Sequence, residues 1–419
     1  MAATLPSPTT FRLKGLAHLA VGDSHGDLLR ADCSAKESLI MPTLEFKGKP
    51  FVYSHHLSVP FRQLVIDPAK SLPTADAAPS LDDNLIIHGD NLEALKALLP
   101  RYAGKVDVIY IDPPYNTGNE GWAYNDNVNA PQLKAWLGKV VDAEDMERHD
   151  KWLAMMWPRL QLLKELLADD GVIFISIDDL EQGVLRTICE EIFDPHNFVA
   201  NLVWQKKYSP ANDAKWFSDD HDFIVCFAKD KSAWHPLKLE RSAKQRKAYK
   251  NPDDDLRGDW KTGDYSSNKT RFERPNGWYA ITRPSDGEQI WPNEDSAWRF
   301  VEEEHDLNQS EGRVWWGKKG LNNVPAYKRF LTDVDDIVPR TIQLYEDVGH
   351  TQDAAREIKL IFGNKAFQTP KPSSLIERLA QIGGGSNSLI LDSFAGSGTT
   401  ARCASAQPGR WRRPQVHPD

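Results

Sequence analysis

Cysteine is scarce: Cys33, Cys189, Cys226 and Cys403 are the only four in 419 residues, and no two form a Cys-x-x-Cys pair. Such wide spacing implies neither a zinc site nor a disulfide framework, and no metal is expected. A reducing cytoplasm suits a chain of this kind. Long apolar runs are also missing. No stretch reaches the roughly 18 residues that a membrane-crossing helix needs. The N-terminus has no basic region followed by an apolar core, so nothing reads as a secretory leader. No internal repeat is present. Net positive charge is lacking too, the formal total being -9. What is present, 40% apolar and 26% charged residues over this length, can bury a full core and fill two domains.

Against that background one stretch is rich in chemistry. The apolar, β-branched run Val106 to Tyr110 leads into Ile111-Asp112-Pro113-Pro114-Tyr115-Asn116-Thr117-Gly118. The run reads as a buried strand that the prolines must stop. Asp112 then sits at the carboxyl end of a sheet, where open α/β folds keep their sites. Proline fixes its own φ and biases the preceding residue toward extended backbone, so the acceptors of Asp112 and Pro113 are held stiffly outward. An exocyclic amine on a nucleobase is a poor nucleophile, because its lone pair is delocalised into the ring. Two fixed acceptors, the Asp112 carboxylate and a proline carbonyl, suit its two N–H groups. Asp112 can also pass on the released proton, and Tyr115 can stack on a base that has left its duplex. Alone, the tetrapeptide equally suits a turn that closes a strand.

A second signal lies far downstream, in Ser388-Leu389-Ile390-Leu391-Asp392-Ser393-Phe394-Ala395-Gly396-Ser397-Gly398-Thr399-Thr400. It reads as a strand, a tight glycine loop and a helix start, the geometry that takes a nucleoside-bearing cofactor. No lysine follows the glycines, which disfavours a phosphate-binding P-loop. Ala401 stands where a dinucleotide fingerprint has its third glycine.

Together these segments resemble the DNA amino-methyltransferases that use S-adenosylmethionine. The order, Asp-Pro-Pro-Tyr first and Phe-Ala-Gly-Ser-Gly-Thr-Thr last, is that of their permuted β class. His88-Gly89-Asp90-Asn91-Leu92-Glu93-Ala94-Leu95 and Phe174-Ile175-Ser176-Ile177-Asp178-Asp179 are similar to type III restriction-modification subunits. The resemblance covers residues 84 to about 205 and 351 to 401. It implies a Rossmann-like α/β methyltransferase sheet with an inserted target-recognition region. By that resemblance, Asp112, Pro113, Pro114 and Tyr115 form the catalytic rim. Asp392, Phe394, Gly396, Gly398 and Thr399 line the cofactor pocket, with Phe367, Thr369, Lys371 and Pro372 over its methionine end and Asp90 and Asn91 on its adenine side. The resemblance further implies double-stranded DNA as substrate, adenine N6 rather than cytosine N4 as target, a homodimer, and a helicase-nuclease restriction subunit as partner.

Between the two signals the chain turns locally basic. Lys238, Arg241, Lys244, Arg246, Lys247 and Lys250 stand against a single Glu240, and aromatics are interleaved with cations beyond them. This reads either as a solvated face or as a DNA-contacting surface.

The expected organisation is an unassigned leader at 1–40, a catalytic half at 41–229, a target-recognition insert at 230–345, a cofactor half at 346–401 and an atypical tail at 402–419. Asn84 to His88 is expected as a strand, and Leu92 to Leu99 as a helix ended by Pro100. Trp152, Met155, Met156, Leu160, Leu163 and Leu167 recur at helical spacing as core. Leu180 to Ile192 is a further helix and Phe223 to Phe227 a strand. A helix from Thr351 to Phe362 is expected to be capped by Thr351 and ended by Gly363, and Gly383-Gly384-Gly385 to be a flexible joint. Met41 is the expected native start. The tail, dense in Pro, Gly and Arg, suits neither helix nor strand, and a one-base frame shift can restore a strand-like ending. A frameshifted or truncated gene is the expectation there, so a DNA-binding module with an incomplete pocket stays open as an alternative. A methyltransferase acting on another planar amine or amide, in RNA or protein, also stays open.

Overall fold

In the computed structural model, residues 43–72, 78–116, 145–385 and 387–406 are described; the leader, Thr117 and Gly118 of the catalytic motif, and the tail from 407 lie outside them. Helix α1, Asn91–Tyr102, begins where the Asp90 carboxylate accepts from the amides of Leu92 and Glu93. It does not end at Pro100. A proline there forfeits one amide bond, whereas continuing the helix buries Tyr102 and lets its hydroxyl donate to the Leu81 carbonyl at 3.3 Å. Asn84–His88, expected as a strand, has no regular secondary structure and pairs with nothing among the described residues, and Ile86 is 88% exposed.

From Val106–Ile111 (β1) the chain runs through helix α2, Asp145–Leu166, into β2, Leu167–Ile177. The expected apolar stripe is buried along α2, and its last member, Leu167, opens β2. Helix α3, Gln182–Phe193, then leads to β3, Phe198–Gln205, and β4, His221–Ala228. A smaller antiparallel sheet follows, made of β5 (Trp260–Asp264), β6 (Val314–Trp315) and β7 (Ala326–Phe330) in the order β6-β7-β5. It closes over its own core of Tyr265, Ile281, Ile290, Trp298 and Trp316. That separate core is narrower than the expected insert, because Trp234 and Leu239 pack on the main sheet and Ile342–Gln343 (β8) pairs with β3. The two stems of the insert meet: Leu239 and Ile337 exchange backbone hydrogen bonds, both at 2.8 Å.

Helix α4, Thr351–Phe362, is capped by His350 rather than Thr351: the imidazole Nδ1 accepts from the Asp353 amide while the Asp353 carboxylate accepts from the His350 amide. Thr351 instead donates its hydroxyl to the Lys206 carbonyl at 3.1 Å. Gly363 ends α4 at φ 75°, as expected of a left-handed C-terminal glycine. Helix α5, Ser373–Gly383, strand β9, Ile390–Leu391, and helix α6, Thr399–Ala406, complete the described chain. Helix α6 thus continues past the expected boundary at 401.

The main sheet has the order β8-β3-β4-β2-β1-β9. Strands β2 and β9 run parallel to β1 on either side, and β4 is antiparallel to both β2 and β3. Alternate residues feed opposite faces: Ile109 and Ile111 pack with α1, α2 and α3, whereas Val108 and Tyr110 pack with α5. Helices on both faces of a mainly parallel sheet make this a Rossmann-like α/β fold, with the last strand in sequence beside the first.

The triple glycine is a close contact rather than a joint. A Cβ at Gly383 would lie 3.0 Å from Val108 and from the Phe174 ring, while one at Gly385 meets nothing within 4 Å. Gly383→Val is therefore expected to cost about 1–3 kcal/mol by overpacking, and Gly385→Ala to be nearly neutral. Urea titration of both variants checks this, since a flexible joint would make the two substitutions alike.

Candidate active site

Because β1 and β9 are parallel neighbours with Ile109 opposite Leu391, the residues that follow them emerge at one sheet edge. Asp112 leaves β1 there and Asp392 leaves β9. A single cleft is bordered by Asp112, Phe367, Thr369, Lys371, Asp392, Phe394, Gly396 and Thr399. The two sequence signals, almost three hundred positions apart, thus face each other.

Within the rim, the Pro114 carbonyl is taken: it accepts from the indole of buried Trp152 at 2.6 Å. The Pro113 carbonyl accepts no bond among the described residues. The Tyr115 hydroxyl donates to Asp222 at 3.4 Å, and Asp222 is held in turn by Lys206 at 2.9 Å. Burial, then the negative charges of Asp112 and Asp222, push the Tyr115 phenol well up, so it stays a neutral ring with a fixed orientation. Asn116, at φ 57°, donates to fully buried Glu181 at 2.5 Å and so ties down the turn after the tyrosine.

The Asp112 carboxylate is met by Lys371, whose ammonium donates to both oxygens at 2.7 and 2.8 Å. That ammonium also lies 4.8 Å from the centroid of the Tyr115 ring. A cation bound to a carboxylate beside an aromatic face occupies the place that a planar amine needs.

On the cofactor side, Gly396 and Gly398 have φ of 51° and 75°, a backbone that side chains disfavour. A Cβ at Gly396 would approach the Phe367 ring to 3.2 Å, so the missing side chain opens the slot between loop and ring. The Thr399 hydroxyl donates to the Lys371 carbonyl at 3.3 Å, joining the glycine loop to the segment that reaches Asp112. Asn91 bridges to this loop by donating to the Ser393 carbonyl at 3.2 Å, and its own carbonyl accepts from buried Arg159 at 2.7 Å. Asp90 is spent on capping α1, and Pro372 precedes α5.

The basic run is partly neutralised. Lys238 pairs with Asp335 at 2.8 Å, Lys244 with Glu346 at 2.9 Å and Arg246 with Glu240 at 3.6 Å, while Arg241 donates to the Asp335 carbonyl. Lys247 makes no side-chain pair among the described residues, nor does Lys250, whose backbone bridges to Trp260. Exposed pairs of this kind are weak and can exchange for phosphate. Sequence reasoning missed Asp222 and Lys206, and read Trp152 as core without its bond to the Pro114 carbonyl. The polar His221-Asp222 pair just ahead of an apolar strand was the available signal for the first.

Asp392 accepts from the Phe394 amide at 3.0 Å and the Thr400 hydroxyl at 2.6 Å, yet burial and then nearby Asp112 raise its carboxyl to about 6. A raised carboxyl binds more protons in the folded than in the unfolded state between its ordinary value and about 6, so stability falls as pH rises through that window. Asp392 keeps some solvent exposure, which limits the loss to about 1 kcal/mol. Asp392→Asn is expected to flatten that slope, read by chemical denaturation at stepped pH.

The family described as DNA methylase matches residues 106–411. The EcoPI Mod subunit, a type III restriction-modification enzyme of Escherichia phage P1, is 35% identical over 77% of this chain and 55% of its own length. The StyLTI Mod subunit of Salmonella typhimurium is 32% identical over 77% of this chain and 50% of its own. This chain therefore spans about half the length of these curated relatives. M.KpnI, a type II methyltransferase of Klebsiella pneumoniae, is 30% identical over 81% of this chain and 80% of its own. Among solved structures, the M1.HpyAVI–SAM complex is a distant likeness, at TM-score 0.32 and 14% identity over 76% of this chain and 87% of that one. With the match running from β1 through the glycine loop, across both walls of the cleft, the chain belongs to the DNA methylase family.

Proposed function

We propose that this protein transfers a methyl group from S-adenosylmethionine to adenine N6 in double-stranded DNA, as the modification component of a type III restriction-modification system. It works in the cytoplasm, as a homodimer, beside a helicase-nuclease restriction subunit. The observation that carries the reading is the shared cleft, in which the Asp112 carboxylate and the glycine loop are opposing walls. No helix among the described residues is long and apolar enough to cross a membrane.

The cleft suits the cofactor: the loop at Gly396 has no Cβ where it faces Phe367, and Asp392 keeps its carboxylate beside the turn. Bound there, S-adenosylmethionine supplies an electrophilic methyl on a sulfonium. The chain's own residues prepare the nucleophile. The Asp112 carboxylate and the Pro113 carbonyl accept the two N–H groups of the exocyclic amine, which turns its nitrogen lone pair away from the ring and toward the cofactor wall. Tyr115, oriented through Asp222, stacks on the extruded base. Asp112 then accepts the proton that the methylated nitrogen releases. Lys371, within hydrogen-bond reach of both Asp112 oxygens, holds that carboxylate in place until the amine arrives.

Asp112→Ala is expected to lower methyl transfer by about 10²- to 10⁴-fold while leaving S-adenosylmethionine affinity within a few-fold. Gly396→Val is expected to show the reverse order, with cofactor binding weakened first. Isothermal titration with the cofactor, paired with nucleoside mass spectrometry of incubated DNA, reads both. Methylcytosine in place of N6-methyladenine would overturn the adenine assignment, and undiminished transfer by Asp112→Ala would overturn the mechanism.

A further inference from the structure

The connection between β3 and β4 leaves the sheet at the same edge as Asp112, because β3 runs parallel to β2 and β1 through the antiparallel β4 between them. Its base is held firmly. The Lys206 amide donates to the Asp220 carbonyl at 2.8 Å, the Ala211 amide to the Ser218 hydroxyl at 2.7 Å, and the Lys206 ammonium to Asp219 and Asp222 at 2.8 and 2.9 Å. Tyr208 packs on Tyr345 and His350, with ring centroids 6.2 and 5.6 Å away. Asp222, the second residue of β4 where the loop rejoins the sheet, is the group that orients Tyr115.

On this anchored loop two consecutive aromatic rings stand in solvent: Trp216 is 83% exposed and Phe217 96%. Among the described residues the one ring contact they make is the Lys215 ammonium, 5.3 Å from the Trp216 centroid. Asp219 is held by Lys206 and Asp220 by Ser218, while Lys207, Lys215 and Asp213 make no ion pair among the described residues, so the free charge of the loop is net positive toward an anionic partner. Large apolar rings kept in water on a rigid mount, next to a nucleobase rim, have a use if their partner is itself a stack of flat rings.

We propose that Trp216 and Phe217 are a wedge that enters the DNA stack and fills the gap left when the target base swings out to Tyr115, with Lys207 and Lys215 on the flanking phosphates. This rests on the DNA reading of the cleft. Extruding a base costs its stacking and pairing, and an aromatic side chain in the vacated step replaces part of the lost stacking. Placing the wedge on the loop that leads into β4 and Asp222 couples insertion to the residue that holds Tyr115 ready.

The test needs no knowledge of the recognition sequence. Fluorescence anisotropy is measured for the full chain on a fully paired duplex and on the same duplex with one central abasic analogue, whose open step accepts a ring without prior unstacking. The wild-type protein is expected to favour the abasic duplex by about 10- to 100-fold. Trp216→Ala with Phe217→Ala is expected to lose that preference while binding the paired duplex within about two-fold, and Trp216→Tyr with Phe217→Tyr to restore most of it. Both positions are exposed, so neither pair of changes threatens folding. A double alanine variant that keeps the preference overturns the wedge, as does a wild-type protein that binds both duplexes equally; in each case DNA binding itself stands. A wild-type protein that binds neither duplex removes the DNA reading along with the wedge.

Discussion

The pairing of β9 with β1 is the constraint on which the cleft depends, and it is short. Val108 faces Ile390 and Ile109 faces Leu391, and β9 extends no further. Strands 282 positions apart must close a long loop before they gain anything, so so brief a ladder needs reinforcement. Asp107 supplies it at one end, where its carboxylate accepts from the Leu389 amide at 2.6 Å and its own amide donates to the Leu389 carbonyl. Asn91 ties Ser393 at the other end. The Lys371–Asp112 ion pair spans the cleft itself, so a contact with a clear use in chemistry also joins the two halves.

The same convergence crowds acidic groups. Asp112, Asp222 and Asp392 meet at one sheet edge, and raising Asp392 is one consequence of removing them from water together. Lys371 and Lys206 offset this charge from opposite sides, one on Asp112 and one on Asp222. The Asp112 carboxylate is already bonded, to Lys371. That pairing avoids leaving an unpaired charge at this partly buried edge, which would cost far more.

Much of this was legible in the residues. Strands β1, β2 and β4 are carried by the stretches 108–111, 172–177 and 223–227, rich in β-branched and aromatic residues, a pattern that suits strands buried on both faces. The proline rim and the glycine turn announced themselves by residues that restrict or free the backbone. What escaped is decided by partners remote in sequence. Asn84 to His88 has strand composition, but a strand exists only where another chain segment offers a ladder. Pro100 sits in a helix because Tyr102 finds the Leu81 carbonyl, which local propensity cannot register. His350 displaces Thr351 as the cap because Thr351 is engaged by Lys206 across the sheet. Gly383 looked like a hinge, and its small size instead admits Val108 and Phe174.

The clamp between Leu239 and Ile337 has a wider meaning. Where a chain leaves a scaffold and returns to it through one backbone bridge, whatever lies between is topologically a loop, however large. The intervening residues carry their own aromatic core and their own small sheet. The intervening residues can therefore change in length and composition without altering the register of any strand that frames the cleft.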